Sequence, residues 1–129
     1  MALSKSSLSA GEIIRAILVE DTEVAARAKK VFPVVEDSAE LPYIVYRRTQ
    51  LEQDPVKGKR GADTVGIEVL CYTAGYTEGV ELAEAVRDAL DGKQGESDGL
   101  VMRSCYLSDS EEAWQDDAYV QQLVFNVKI

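Results

Sequence analysis

The sequence predicts an α+β fold: a four-stranded antiparallel sheet made of two β-hairpins, with helices packed on one face. Three observations carry that expectation. Residues 10–20 and 77–90 place apolar side chains at helical spacing. Residues 43–51, 64–73, 100–107 and 118–129 read as strands, most clearly where Val65, Ile67, Val69 and Cys71 alternate with Gly66, Glu68, Leu70 and Tyr72. The order is α, α, β, β, α, β, β, so each β pair can close locally as an antiparallel hairpin. A sheet with one apolar face then needs the helices as cover.

The chain opens on a polar stretch, expected to be a flexible tail over residues 1–8, with a single domain over residues 9–129. It holds one lysine and no apolar run of signal-peptide type. Ser9 and Glu12 have capping-box spacing ahead of Ile13, Ile14, Ile17 and Leu18. Asp21 is an N-cap for a short second helix through Ala28, with Lys29 and Lys30 near its C-terminal end. Pro33 breaks that helix after Val31 and Phe32.

Residues 36–40 read as a polar loop. Pro42 can precede a strand but not sit inside one, so the first strand starts at Tyr43. Residues 53–63 hold Pro55, Gly58 and Gly61 and read as a long hairpin loop. Thr77 is expected to cap a helix carrying Val80, Ala83, Val86 and Leu90 on its core stripe, widened by Leu82 and Ala89. Asp91 and Gly92 supply its stop. Residues 93–99 read as a polar loop, and residues 108–117 as an acidic loop around Trp114.

At 129 residues the chain fits one domain with a real core. Hydrophobic residues make up 46% and charged residues 29%, ordinary for a globular protein. No apolar run approaches the roughly 20 residues of a membrane span. The net charge of −9 argues against broad binding to nucleic acid or anionic membrane. The two cysteines, Cys71 and Cys105, lie in expected strands and read as buried thiols, although a disulfide between paired strands stays open.

No histidine occurs, which removes the commonest general base and metal ligand along with every Ser-His-Asp or Cys-His arrangement. No phosphate-cradling glycine pattern is present. No catalytic residue, cofactor site or metal site is therefore assigned. The acidic group Asp109, Glu111, Glu112, Asp116 and Asp117 lacks the spacing and glycine of an EF-hand loop.

What the sequence does offer is surface. Arg47, Arg48, Lys57, Lys59 and Arg60 concentrate positive charge on an acidic chain, suited to the acidic surface of an identical neighbour. The sheet face opposite the helices should show Glu68, Leu70 and Tyr72 beside Tyr46 and Met102, a mixed apolar patch of the kind that meets another protein.

The pattern resembles the small tail-completion proteins of long-tailed bacteriophages and prophages, related in fold to tail terminators and tail-to-head joining proteins. Ile13, Ile17, Leu18, Asp21 and Val24 match the opening helix and its break. Val31, Phe32 and Pro33, followed after a short loop by residues 41–46 (Leu-Pro-Tyr-Ile-Val-Tyr), match the most recognisable segment. Residues 64–72, then Tyr76, Val80, Leu82, Ala83, Val86, Ala89 and Leu90, then Tyr119, Leu123, Phe125 and Val127, match the rest. The acidic stretch 108–117 is the chief departure.

The resemblance implies a structural virion protein of the tail, assembled in a bacterial cytoplasm. It implies a ring, often hexameric, that caps the tail tube and docks the head connector. Its partners would be sister copies, the tube protein and connector proteins, with DNA passing through an acidic lumen unbound. The rival reading is a small ligand-binding or enzymatic α+β domain holding a divalent metal in the acidic loop.

Overall fold

In the computed structural model, which describes residues 6–33, 40–53 and 63–129, the chain folds around a mixed five-stranded sheet with helices on one side. The helices are α1 (Ala10–Glu20), α2 (Thr22–Arg27) and α3 (Tyr76–Leu90). The strands are β1 (Lys30–Pro33), β2 (Tyr43–Gln53), β3 (Asp63–Thr73), β4 (Gly95–Ser97), β5 (Leu100–Met102), β6 (Ser104–Gln115) and β7 (Ala118–Lys128). The sheet order is β1-β2-β3-β7-β6, and β4 pairs separately with β5.

The α+β class and both long hairpins are as expected, but the four-stranded antiparallel sheet is not the whole sheet. A fifth strand, β1, runs parallel to β2, with Val31 beside Ile44 and Phe32 beside Val45. Four residues ending in proline carry too little periodicity to declare a strand. Its pairing is a tertiary event that follows from α2 ending beside β2, where Lys29 N–H donates to Pro42 O at 2.8 Å.

The expected strand 100–107 is split at Arg103. Its first half pairs with β4, and its second half begins β6. The acidic loop is also corrected. Residues 104–115 are continuous strand, paired with β7 through Gln115 and Ala118. Asp116 and Asp117 form the two-residue turn, both with positive φ (51° and 61°). That is the backbone a tight hairpin turn requires, and aspartate tolerates it.

Local signals were mixed. Asp21 caps α2 as expected, its Oδ1 accepting from Glu23 and Val24 N–H at 3.0 Å each. Asp91 and Gly92 do stop α3, with Gly92 at φ 76°. Ser9 makes no side-chain cap, however. A short 3-10 turn at Ser7–Ser9 precedes α1, and Ser6 Oγ accepts from Leu8 N–H there. Ser7 is buried and its hydroxyl donates to Asp63, so packed structure starts inside the stretch expected to be tail. α3 starts from Gly75, and Thr77 lies within it.

The core lies between helices and sheet. Ile13, Ile14 and Leu18 of α1 and Leu82, Val86 and Leu90 of α3 close over Val65, Ile67, Val69 and Cys71, all essentially without solvent contact. Each such side chain contributes roughly 1.5–3 kcal/mol by leaving water. Val80 and Ala83, expected on the α3 core stripe, are only half-buried, and Ala85 and Gly79 face inward. The β4–β5 hairpin packs against α1, with Gly95 close to Ile13.

Candidate assembly surface

Side-chain alternation puts Val65, Ile67, Val69 and Cys71 under the helices, so Gly66, Glu68, Leu70 and Tyr72 point the other way. Among the described residues, every helix sits on the first side. The register then assembles the outer face. Tyr43, Val45 and Arg47 of β2 stand beside Tyr72, Leu70 and Glu68 of β3. Val120, Gln122 and Val124 of β7 continue the rows. Ala113, Glu111 and Asp109 of β6 end them.

One end of this face is aromatic. Tyr43 and Tyr72 stack with ring centroids 4.8 Å apart and planes at 14°, and Phe32 meets Tyr43 edge-on at 6.0 Å. Burial pushes the Tyr43 phenol up, and the Asp116 charge adds to it. Burial also raises Tyr72, helped by Tyr43, Glu68 and Asp116 against the opposing pull of Arg47. Both rings therefore stay neutral at physiological pH and present hydroxyl-tipped apolar surface.

Next to the rings lies a charge clasp. Glu68 is only 6% exposed. Arg47 Nε donates to its Oε1 at 2.7 Å, and Gln122 Nε2 donates to its Oε2. A carboxylate this covered needs such donors, because an unpaired buried charge is costly.

The two arginines expected to act together are separated by strand alternation. Arg47 is on the outer face, whereas Arg48 lies on the helix side and donates to Leu8 O at 2.9 Å. Lys57, Lys59 and Arg60 lie outside the described residues. Tyr46 and Met102, expected on the outer face, are both buried in the core.

The acidic residues are likewise dispersed. Asp109 and Glu111 lie on the outer face of β6, Asp116 and Asp117 in the turn, and Glu112 on the helix side. Among the described residues no group of three His, Cys, Asp or Glu side chains is placed to share a metal ion.

The structure adds a cluster that sequence reasoning missed. On the helix side of the β6–β7 hairpin, Trp114 meets Tyr119 edge-on at 4.7 Å and Tyr119 meets Tyr76 at 5.7 Å. Tyr76 Oη donates to Glu112 Oε2 at 2.9 Å, and Gln121 Nε2 donates to the same oxygen at 2.9 Å. These donors hold the Glu112 carboxyl below the usual range, Gln121 foremost, and the bond to Glu112 pushes the Tyr76 phenol up. Trp114 remains 58% exposed and Tyr76 48%. The overlooked signal was Asp-Asp between Trp114-Gln115 and Ala118-Tyr119, a two-residue turn between strand-like flanks.

Comparison with known proteins agrees with this architecture. A solved chain described as "Virion of native gene transfer agent (GTA) particle" has the same fold, with a TM-score of 0.77 at 20% identity over 95% of this chain and 98% of that one. A search of curated proteins gave no match. A family model described as "Tail completion protein gp17" matches residues 12–129, nearly the whole chain. The chain belongs to the tail completion protein gp17 family.

Proposed function

We propose that this chain is a structural component of a phage or phage-like tail, and that its copies form a ring which closes the tail tube and joins it to the head connector. Family membership supports the tail assignment. The observation that carries the interfacial reading is the outer sheet face. It combines the Tyr43–Tyr72 stack, Leu70 and the Arg47–Glu68–Gln122 clasp on a side that no helix covers among the described residues. Val45 and Val120 are themselves covered, at 2% and 4% exposed, so what this face offers a partner is the half-buried Tyr43, Leu70 and Tyr72 beside the exposed Arg47, a mixed surface suited to a protein contact.

Function on this reading is steric and needs no bond-making chemistry. The ring presents one surface to the tube end and another to the connector, and it ends tube growth by offering no further tube-like surface. The net charge of −9 suits a passage through which DNA moves without being held. The divalent-metal reading gains no support among the described residues, where the acidic side chains of the β6–β7 hairpin point to different sides.

Sedimentation and light scattering over a concentration series, at low and high salt, test the ring. The expected result is a closed oligomer of one defined size that grows at the expense of monomer. A strict monomer at every concentration, with a melting temperature that rises on adding Mg²⁺ or Ca²⁺, would overturn the ring in favour of the metal-binding alternative.

A further inference from the structure

The two edges of the five-stranded sheet end at the same height and with opposite charge. Lys30 aligns with Tyr43, Tyr43 with Tyr72, Tyr72 with Val120, and Val120 with Ala113. The same walk carries Pro33 through Tyr46, Val69 and Leu123 to Ser110. The whole of β1 thus stands level with residues 110–113 of β6 at the opposite edge. Among the described residues, neither strand has a partner on its outer side. The start of β6 is protected, since Cys105 O accepts from Gly92 N–H at 2.6 Å and Leu107 N–H donates to Asp91 Oδ1 at 2.9 Å. Farther along, Ser110 N–H donates to the side chain of its own neighbour, Asp109 Oδ1, at 2.8 Å, an exposed bond that an incoming strand would have to exchange.

Strand sense is also compatible. β1 runs parallel to β2, and each later step across the sheet to β6 is antiparallel, so β1 and β6 run in opposite directions. A second copy laid alongside, with its helices on the same side, therefore brings its β1 antiparallel to β6. Its Lys30 then lies opposite Ala113 and diagonal to Glu111 on the outer face, within reach of a long side chain.

We propose that the free edge of β6 receives β1 of a second copy, so that the sheet continues from subunit to subunit. This rests on the ring reading above and names the contact that builds the ring. Charge selects the pairing. β6 carries exposed Asp109, Glu111 and Glu112 beside its open edge, and β1 is entered through exposed Lys29 and Lys30. Pairing β6 with β6, or β1 with β1, sets like charges against each other and is disfavoured. Only the heterologous pairing is complementary. Lys29 holds Glu40 at 3.4 Å in an exposed ion pair, which is weak and easily exchanged.

Matching height is compatible with closure, because the pairing needs no step along the strands; a heterologous contact becomes a ring when the rotation it imposes closes and a filament when it does not. The edge contact also leaves the outer sheet face free for the tube or the connector. Four residues of β1, the last a proline without an N–H, allow only about two to three inter-strand hydrogen bonds, so the contact is weak per subunit and gains from closure.

Crosslinking tests it cleanly because the native thiols are silent. Cys71 and Cys105 are fully buried. Lys30 and Ala113 are exposed, so Lys30→Cys and Ala113→Cys leave the core intact. With a short bis-maleimide, the double variant is expected to give a covalent ladder ending in one closed species. Mixed single variants should give heterodimers alone, and each single variant by itself only monomers. Homodimers from a single variant would overturn the pairing. Absence of a ladder while light scattering still shows the oligomer would overturn the edge contact and leave the ring standing. Monomer by both measurements would overturn both.

Discussion

Arg47 and Glu68 face each other across β2 and β3, and Arg47 Nε donates to Glu68 Oε1 at 2.7 Å. This one pair ties the exposed rim of the outer face to a nearly covered carboxylate. It also separates Arg47 from its sequence neighbour. Arg47→Glu is expected to set two carboxylates opposite each other and cost about 2 kcal/mol of protomer stability. Arg48→Glu loses an exposed bond to Leu8 O and should cost no more than about 0.5 kcal/mol. Urea unfolding of both variants measures the difference. Equal losses would mean that Glu68 draws its support from Gln122 alone.

Gly79 in α3 sets two rules against each other. Alanine is the better helix former by about 1 kcal/mol. A Cβ at this position, however, would stand 2.8 Å from Thr73 Oγ1 and 3.6 Å from Gln121 Cγ. Thr73 cannot yield freely, because it is buried and its hydroxyl donates to Gly75 O at 2.8 Å. Gly79→Ala should therefore destabilise by roughly 1–2 kcal/mol, as overpacking does. Adding Thr73→Ala should recover part of that loss. A more stable Gly79→Ala variant in thermal unfolding would mean that α3 slides outward easily.

The buried thiols predict an alkaline weakness. Burial pushes Cys71 up to about 12 from an ordinary 9.0, and burial plus the Asp91 charge do the same for Cys105. Well below pH 9 both thiols are protonated, folded or unfolded, and the unfolded ones begin to ionise as pH nears 9. Above it the unfolded chain gives up its protons first, so stability falls as pH climbs from 9 towards 12. The slope approaches about 1.4 kcal/mol per pH unit for each thiol. Urea unfolding between pH 7.5 and 10.5 should show the decline, and Cys71→Ala with Cys105→Ala should flatten it. The raised phenols of Tyr43 and Tyr72 leave a residual slope at the top of that range.

Val69 decides which side of the sheet is inside. It has no exposed surface and sits among Val65, Ile67, Leu123 and the helices. Val69→Asp buries an unpaired carboxylate at a cost of several kcal/mol and is expected to unfold the protomer. Circular dichroism checks this directly. A folded variant would reverse the assignment of inner and outer faces.

The parts that local chemistry specifies were legible in the residues. Strict alternation marked β3 and its inner face, helical spacing marked α1 and α3, Asp21 marked the cap of α2, and Asp91 with Gly92 marked the stop of α3. Each rests on neighbours within one turn or one pleat. The opposing face residues Glu68, Leu70 and Tyr72 follow from the same alternation, so part of the candidate surface was legible as well.

The remainder was decided by contacts between distant segments. β1 is a strand only because β2 offers it an edge. Residues 108–115 are too polar to announce a strand, and β7 supplies the pairing that makes them one. The expected partnership of Arg47 with Arg48 failed because adjacent strand residues face opposite ways once register is set. The cluster of Trp114, Tyr119, Tyr76 and Glu112 joins a helix start to a hairpin 36 residues away, measured from Tyr76 to Glu112. Periodicity reports which side of its own element a residue takes. Which elements become neighbours, at what height and with which edges left open, depends on long-range pairing and packing, and those are properties of the folded chain.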